Sequence, residues 1–190
     1  MSTLHPPGGM ATTRRDAAIS AVLAAREGGA GTVMVDGRSG SGKTEFAAVL
    51  AELLPGARVL HLEDAYRGWD GLYAGLEEVA EGVLEPLTAG RFGSYQAWDW
   101  EADAPGARRV VEPLRPGEVL IVEGCGALAD PVGEHADYGI WCEAPEEVRR
   151  ERAATRDPYD WSAQWDDWAR QEAALTYRYR PHLVLHTHPA

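Results

Sequence analysis

The segment TVMVDGRSGSGKTEFAAVLAELL, residues 32–54, restricts the fold of this chain more than any other segment. It begins with a short apolar run at 32–36, which is typical of a buried parallel strand. A glycine-rich loop follows, and the stretch KTEFAAVLAELL after it is a predicted helix that ends at Pro55 and Gly56. A strand, a glycine-rich loop and a helix in this order predict an α/β fold.

The rest of the chain repeats the alternation of strand and helix. Four more apolar runs are predicted strands, at 58–62, 119–123, 138–143 and 182–186. Further helices are predicted at 14–27, 69–90 and 145–156. Five apolar strands that alternate with helices predict a parallel sheet covered on both faces, which is a three-layer α/β architecture.

The length of 190 residues fits one domain. Two prolines and two glycines interrupt the N-terminal residues, so 1–13 are predicted to be a flexible lead before a single domain at 14–190. Within that domain, a polar and tryptophan-bearing insertion around 91–117 interrupts the alternation. We expect a monomer or a homodimer.

Composition excludes several classes of partner. The formal charge of −12 argues against binding to nucleic acid, because phosphate backbones are held mainly by basic surfaces. No apolar run approaches the roughly 18 residues of a membrane span. Cys125 and Cys142 are the only cysteines, too few for a disulfide framework or a zinc site. We therefore expect a cytoplasmic protein with a small-molecule partner.

The glycine-rich loop matches G-x-x-x-x-G-K-[ST], a phosphate-binding loop (P-loop), at the expected place between strand and helix. Glycines let several backbone N–H groups point at one anion, and the helix N-terminus adds a partial positive charge. Lys43 is predicted to bind the β- and γ-phosphates of ATP, and the Thr44 hydroxyl to ligate Mg²⁺. The predicted ATP-binding residues are Gly37, Ser39, Gly40, Ser41, Gly42, Lys43, Thr44 and Glu45.

Lys43 is also the only lysine, since the other 17 basic residues are arginines. A GTPase of the usual kind reads guanine with N-K-x-D, and no second lysine is present to form that motif. The L-S-G-G-Q signature of transporter ATPases is missing, and the chain is too short for a motor or helicase core. A small-molecule kinase is the class that remains.

Glu63 and Asp64 follow the second predicted strand, at the edge of the sheet where ligands gather. A carboxylate there can accept the proton of a hydroxyl acceptor as the phosphoryl group arrives. The pair favours an alcohol over a phosphate acceptor, and either acid can be the base.

Five segments resemble the uridine kinase-like group of P-loop kinases, which includes nucleoside kinases: DGRSGSGKT (36–44), LEDAYRGWDG (62–71), WDW (98–100), LIVEG (120–124) and RRERAATRD (149–157). The resemblance implies that Asp64 is the catalytic base and that Glu123 lies near the metal. It implies that Trp98 and Asp99 help to hold the acceptor, and we place Tyr66 of the second segment with them. It also implies that lid arginines touch the triphosphate, which are Arg152 and Arg156 in a lid around 150–165.

These features predict transfer of the γ-phosphoryl group of ATP to a hydroxyl of a small metabolite, with a nucleoside as the favoured acceptor. The loop DGRSGSGKT also looks like that of cytidylate kinases, so a nucleoside monophosphate kinase is an alternative, in which arginines such as Arg91 bind the acceptor phosphate. A regulatory protein that binds ATP without an acceptor is the other alternative. Trp161, Trp165 and Trp168 have the spacing of one helix face and are predicted to pack rather than to stack on a base.

Overall fold

The structure, a computed structural model, describes residues 12–13, 15–156 and 162–188. The strands are β1 (Thr12–Thr13), β2 (Thr32–Asp36), β3 (Ala57–His61), β4 (Gly93–Asp99), β5 (Ala104–Val111), β6 (Val119–Glu123), β7 (Tyr138–Glu143) and β8 (Leu183–His186). The α-helices are α1 (Arg15–Glu27), α2 (Lys43–Leu53), α3 (Leu72–Val79), α4 (Glu85–Thr88), α5 (Glu146–Arg156) and α6 (Ser162–Ala174). A π-helical segment, Ala80–Leu84, joins α3 to α4 without a break in the helix.

The central sheet is parallel and has the strand order β1-β8-β7-β2-β6-β3. It contains all five predicted strands, which confirms the predicted α/β class and its five-stranded parallel sheet. One further strand, β1, adds two residues at the edge, where Thr12 and Thr13 pair with β8. The strands β2 and β6 are central, so the loops that follow them lie in the middle of the carboxyl edge.

Helices cover both faces of the sheet. Successive side chains of a strand point to opposite faces, so both faces need a cover when both sets of side chains are buried. On one face, Val33 and Val35 of β2 pack against α1 and α2 in one buried cluster. On the other face, Met34 belongs to a second cluster with α3 and α6, which includes Leu72 and Trp168. The sheet and its two helical faces form the predicted three layers. No helix in the described part of the chain is both long and apolar enough to cross a membrane.

The insertion around 91–117 contains an antiparallel hairpin of β4 and β5. Tyr95 and Ala97 of β4 are buried in the cluster that includes α3, whereas most of β5 is exposed. The hairpin approaches the π-helical segment closely, because a Cβ on Gly93 would lie only 2.7 Å from the Cα of Val83. The insertion is therefore fixed to the sheet's carboxyl edge through α3.

Of the three tryptophans predicted to pack along one helix face, the two that the structure describes do so. Trp165 and Trp168 lie on α6 and are buried, and Trp161 lies outside the described residues. The Trp168 ring contacts Tyr66 with a centroid distance of 5.3 Å and Trp69 with a distance of 6.1 Å. These contacts hold α6 against the segment that follows β3.

Candidate active site

The P-loop connects Asp36 at the end of β2 to Lys43 at the start of α2. Gly37, Gly40 and Gly42 have backbone φ values of 144°, 77° and 87°, which residues other than glycine rarely adopt. A Cβ on Gly37 would collide with the backbone oxygen of Cys142, and one on Gly40 with that of Arg149. Backbone conformation favours glycine at all three positions, and close approach also requires it at Gly37 and Gly40.

Asp36 anchors the base of the loop from inside the protein. Its buried carboxylate accepts hydrogen bonds from the backbone N–H groups of Gly37 (2.6 Å), Gly126 (2.8 Å) and Leu128 (2.7 Å). Burial raises the pKa of Asp36 to about 6, although the three hydrogen bonds act in the opposite direction. The residue thus ties the loop to the segment after β6.

Lys43 carries a buried ammonium group in the loop. Its Nζ donates hydrogen bonds to the Arg38 backbone oxygen (3.1 Å) and to the Cys125 sulfur (3.4 Å). Burial acts to lower the pKa of Lys43, but the neighbouring Cys125 sulfur and the carboxylates of Glu123 and Glu172 outweigh burial and raise it. The ammonium therefore stays charged at neutral pH.

The loop also fits a phosphate through its hydroxyl groups. The Ser41 hydroxyl is buried and has no hydrogen-bond partner within the described residues, so it is able to donate to a phosphate oxygen. Gly40, Gly42, Lys43 and Thr44 line a cleft of about 160 Å³. Glu45 lines the same cleft and forms an exposed ion pair with Arg15 at 3.3 Å.

Thr44, Glu123 and His61 form a hydrogen-bonded chain across the carboxyl edge of the sheet. The Thr44 hydroxyl donates to Glu123 Oε2 at 3.1 Å, and a 2.6 Å hydrogen bond joins Glu123 Oε1 to His61 Nδ1. Glu123 is only 3% exposed. The hydrogen bond to Glu123 raises the pKa of His61 above its usual value.

The oxygens of Thr44 and Glu123 fit Mg²⁺, a hard cation that usually takes one or two protein ligands and completes its shell with water and phosphates. No group of three or more His, Cys, Asp or Glu side chains suited to a metal occurs among the described residues.

Two arginines of α5 contact the P-loop region. Arg152 lines the cleft, and its guanidinium donates to the hydroxyl (3.1 Å) and backbone oxygen (2.6 Å) of Thr187. Arg149 is buried and donates to the Ser39 backbone oxygen at 3.1 Å. Arg150 is exposed and pairs with Glu146, so it lies on a solvated face. The side chain of Arg156 lies outside the part of the chain that the structure describes.

Asp64 lies in a short 3₁₀ turn after β3 and faces the hairpin. Its Oδ2 accepts a 2.6 Å hydrogen bond from Arg109 of β5, and the Asp64 and Arg109 side chains are 31% and 54% exposed. Glu63 is exposed, and its backbone oxygen accepts a hydrogen bond from the Trp100 indole at 3.0 Å. Asp64 thus contacts the hairpin through its carboxylate and Glu63 through its backbone oxygen, and the identity of the base stays a prediction.

The other residues predicted to bind the acceptor are spread around this hairpin. Tyr66 is buried and donates to the Cys125 backbone oxygen at 2.8 Å. Asp99 Oδ1 accepts N–H bonds from Glu101 and Ala102, at 3.1 and 2.9 Å, and so closes the hairpin turn. Trp98 is partly buried, and Arg91 is exposed just before β4. Tyr66 and Asp99 have structural contacts, and the roles of all four toward an acceptor stay predictions.

Three site residues were not found from the sequence: His61, Arg109 and Glu172. Each belongs to the site through a contact between distant segments, such as the 2.8 Å bond from the Ser39 N–H to Glu172 Oε1. His61 lies inside an apolar strand, and no motif marks any of the three positions. The only signal for them in the sequence is a polar residue at a position where the strand or helix pattern does not call for one.

Comparison with known proteins identifies relatives, although no family model matches the chain. The cytidylate kinase of Halobacterium salinarum is 28% identical over 155 residues, which cover 80% of this chain and 72% of that protein. The cytidylate kinase of Halorubrum lacusprofundi is 30% identical over 155 residues, with the same two shares.

A solved structure of a possible uridine kinase from Bacillus stearothermophilus has the same fold, with a TM-score of 0.63 and 21% identity. The match covers 90% of this chain and 96% of that one. The predicted resemblance to P-loop kinases is confirmed by this structure and by the cytidylate kinases. The chain belongs to the family of P-loop kinases that includes these cytidylate kinases.

Proposed function

We propose that this protein transfers the γ-phosphoryl group of ATP to a hydroxyl group of a nucleoside. The observation that carries the proposal is one row of paired residues across the sheet. Val35 of β2 pairs with Glu123 of β6, which pairs with His61 of β3. The P-loop begins two residues after this row and Asp64 lies three residues after it, so both reach the same edge of the sheet.

The donor side would hold ATP by charge and by backbone hydrogen bonds. Lys43, the Ser41 hydroxyl and the loop amides would bind the phosphates, and Arg152 would neutralise charge that develops on the transferred group. Thr44 and Glu123 would hold Mg²⁺, which supplies charge neutralisation between the phosphates when bound. Lys43, Arg152 and the Thr44–Glu123 pair are already held by hydrogen bonds, so the protein would act by positioning.

On the acceptor side, Asp64 would accept the proton of the attacking hydroxyl. A bond forms between the hydroxyl oxygen and the γ-phosphorus, and the bond from that phosphorus to the β,γ-bridging oxygen of ATP breaks to release ADP. Arg109 binds Asp64 Oδ2, and the attacking hydroxyl would approach the Asp64 carboxylate beside this ion pair.

A nucleoside monophosphate is the second candidate acceptor, and Arg109 is the observation that favours it. Its guanidinium is more than half exposed beside Asp64, where it is able to pair with an acceptor phosphate. The relatives named above as cytidylate kinases also support this candidate. In that reaction Asp64 would orient Arg109, and no base would be needed.

The test is ADP release with Mg-ATP and a panel of nucleosides and nucleoside monophosphates, cytidine and CMP first. If a nucleoside is the acceptor, Asp64→Asn should lower kcat by about 100-fold or more, the usual share of a general base. Glu63→Gln should change kcat little, and a loss confined to Glu63→Gln would move the role to Glu63.

If a monophosphate is the acceptor, Asp64→Asn should keep most of the rate. Arg109→Ala should then raise the KM for the monophosphate without a similar change in the KM for ATP. Stimulation of ADP release by neither class of acceptor would refute both reactions.

A further inference from the structure

Glu172 is a buried carboxylate that lies against the P-loop although it belongs to α6. Its side chain is about 5% exposed. Glu172 Oε1 accepts the backbone N–H of Ser39 at 2.8 Å, and Oε2 accepts the Nε–H of Arg38 at 3.0 Å. Both partners are loop residues between Gly37 and Gly40, so a single carboxylate holds the first half of the loop.

The two peptide units that meet at Ser39 are each held by a buried side chain. Glu172 binds the Ser39 N–H, and Arg149 of α5 binds the Ser39 carbonyl oxygen at 3.1 Å. With both of these peptide planes bound, the backbone at Ser39 has little freedom to rotate about φ and ψ. The helices α5 and α6 therefore fix the position of this part of the loop.

The helix that carries Glu172 is itself firmly attached. Gln171 donates to the Trp69 backbone oxygen at 2.6 Å and accepts the N–H of Leu72 at 3.3 Å. Trp168 of the same helix packs against Tyr66 and Trp69. Glu172 thus connects the loop to a fixed part of the domain and not to a mobile surface element.

A carboxylate at this place has an electrostatic cost. Glu172 is near enough to Lys43 to contribute to the raised pKa of that lysine, and a phosphate bound by Lys43 would feel the same negative charge as repulsion. A group that only stabilised bound ATP would be neutral or positive here. The carboxylate of Glu172 is explained by the two donors that it aligns, the Arg38 side chain and the Ser39 N–H. Burial of a carboxylate is tolerated when it is paired and hydrogen-bonded.

We propose that Glu172 is a positioning residue that weakens ATP binding through its charge and aligns the P-loop for phosphoryl transfer. The alignment acts through Ser39 and Arg38. The effect of this alignment on phosphoryl transfer rests on the proposed function. A small displacement of a reacting group costs more in rate than in binding, because the transition state tolerates less misalignment than the bound substrate.

The test compares Glu172→Gln with Asp167→Asn, which also removes one negative charge from α6 but at an exposed position. For Glu172→Gln, kcat should fall by about tenfold or more. The dissociation constant of Mg-ATP, measured by calorimetry, should fall severalfold because the repulsion is removed. Asp167→Asn should change neither quantity.

Glu172→Asp separates charge from reach, because it keeps the carboxylate and shortens the side chain. It should lower kcat without tighter ATP binding. A Glu172→Gln protein with unchanged kcat, or one in which ATP binding weakens in step with a loss of thermal stability, would overturn the proposal. If the wild-type protein phosphorylates no acceptor, the proposed function fails, and the ATP dissociation constants still decide this inference: only tighter binding by Glu172→Gln supports it.

Discussion

Gly40→Ala should destabilise the protein through one steric contact that the structure defines. Gly40 has a φ of 77°, and a Cβ built on it would lie 2.9 Å from both the carbonyl carbon and the Cα of Arg149. Ordinary contacts of this kind begin near 3.4 Å and the Arg149 backbone oxygen lies closer still, so α5 and the loop would have to separate by at least about 0.5 Å. The substitution therefore acts on the interface between the P-loop and α5.

Gly90→Ala is a matched control for the backbone term. Gly90 has a φ of 67°, and a Cβ there would meet no atom within 4 Å. Alanine in this left-handed conformation costs about 1–2 kcal/mol, and both variants share that cost. Overpacking adds about 1–3 kcal/mol at Gly40 alone, so Gly40→Ala should lower the free energy of unfolding by roughly 2–5 kcal/mol.

Urea unfolding of the two variants and the wild type, followed by circular dichroism, measures the difference. Gly40→Ala should also weaken Mg-ATP binding, since its loop amides move, whereas Gly90→Ala should leave binding unchanged. Equal losses of unfolding free energy in the two variants, within about 0.5 kcal/mol, would refute the steric explanation.

Two further predictions concern the donor side. Lys43→Ala should abolish acceptor-dependent ADP release while the circular dichroism spectrum stays that of the wild type, and appreciable residual turnover would remove Lys43 from the mechanism. Burial raises the pKa of Asp36 from its ordinary 3.8 to about 6, so between these values the folded state holds a proton that the unfolded chain has released. Its contribution to the free energy of unfolding should fall by about 3 kcal/mol as pH rises from about 4 to above 6. Urea unfolding against pH should show this slope in the wild type and a flatter one in Asp36→Asn, and identical slopes would contradict the assignment.

Five strands of the central sheet were predictable as apolar runs, and β2, β6 and β7 are largely buried on both faces. Each of the five is an apolar run between polar or glycine-rich segments, and burial on both faces removes the alternation that marks a half-exposed strand. The hairpin gave no such signal. Most of β5 is exposed and contains Pro105 and Gly106, so neither apolar length nor alternation marks it as a strand.

The α5 arginines show where helical periodicity was informative and where it stopped. Consecutive residues on a helix point about 100° apart, so Arg149 and Arg150 cannot share one environment. The structure buries Arg149 against the P-loop and leaves Arg150 in exposed ion pairs with Glu146 and Asp166. The sequence alone does not distinguish the two positions, because the direction of the helix face depends on how α5 packs on the loop.

The two halves of the site differ in predictability for a physical reason. The core of the donor half is continuous in sequence, since the loop amides, Lys43 and Thr44 lie within residues 37–44, and local geometry brings them together. The proposed acceptor half depends on contacts between distant segments, such as Asp64 with Arg109 and Glu63 with Trp100. Motifs therefore transfer the donor chemistry between relatives of low identity, whereas the proposed acceptor site depends on how the hairpin packs. Substitutions that exchange hairpin residues such as Arg109 should consequently alter the acceptor before they alter the use of ATP.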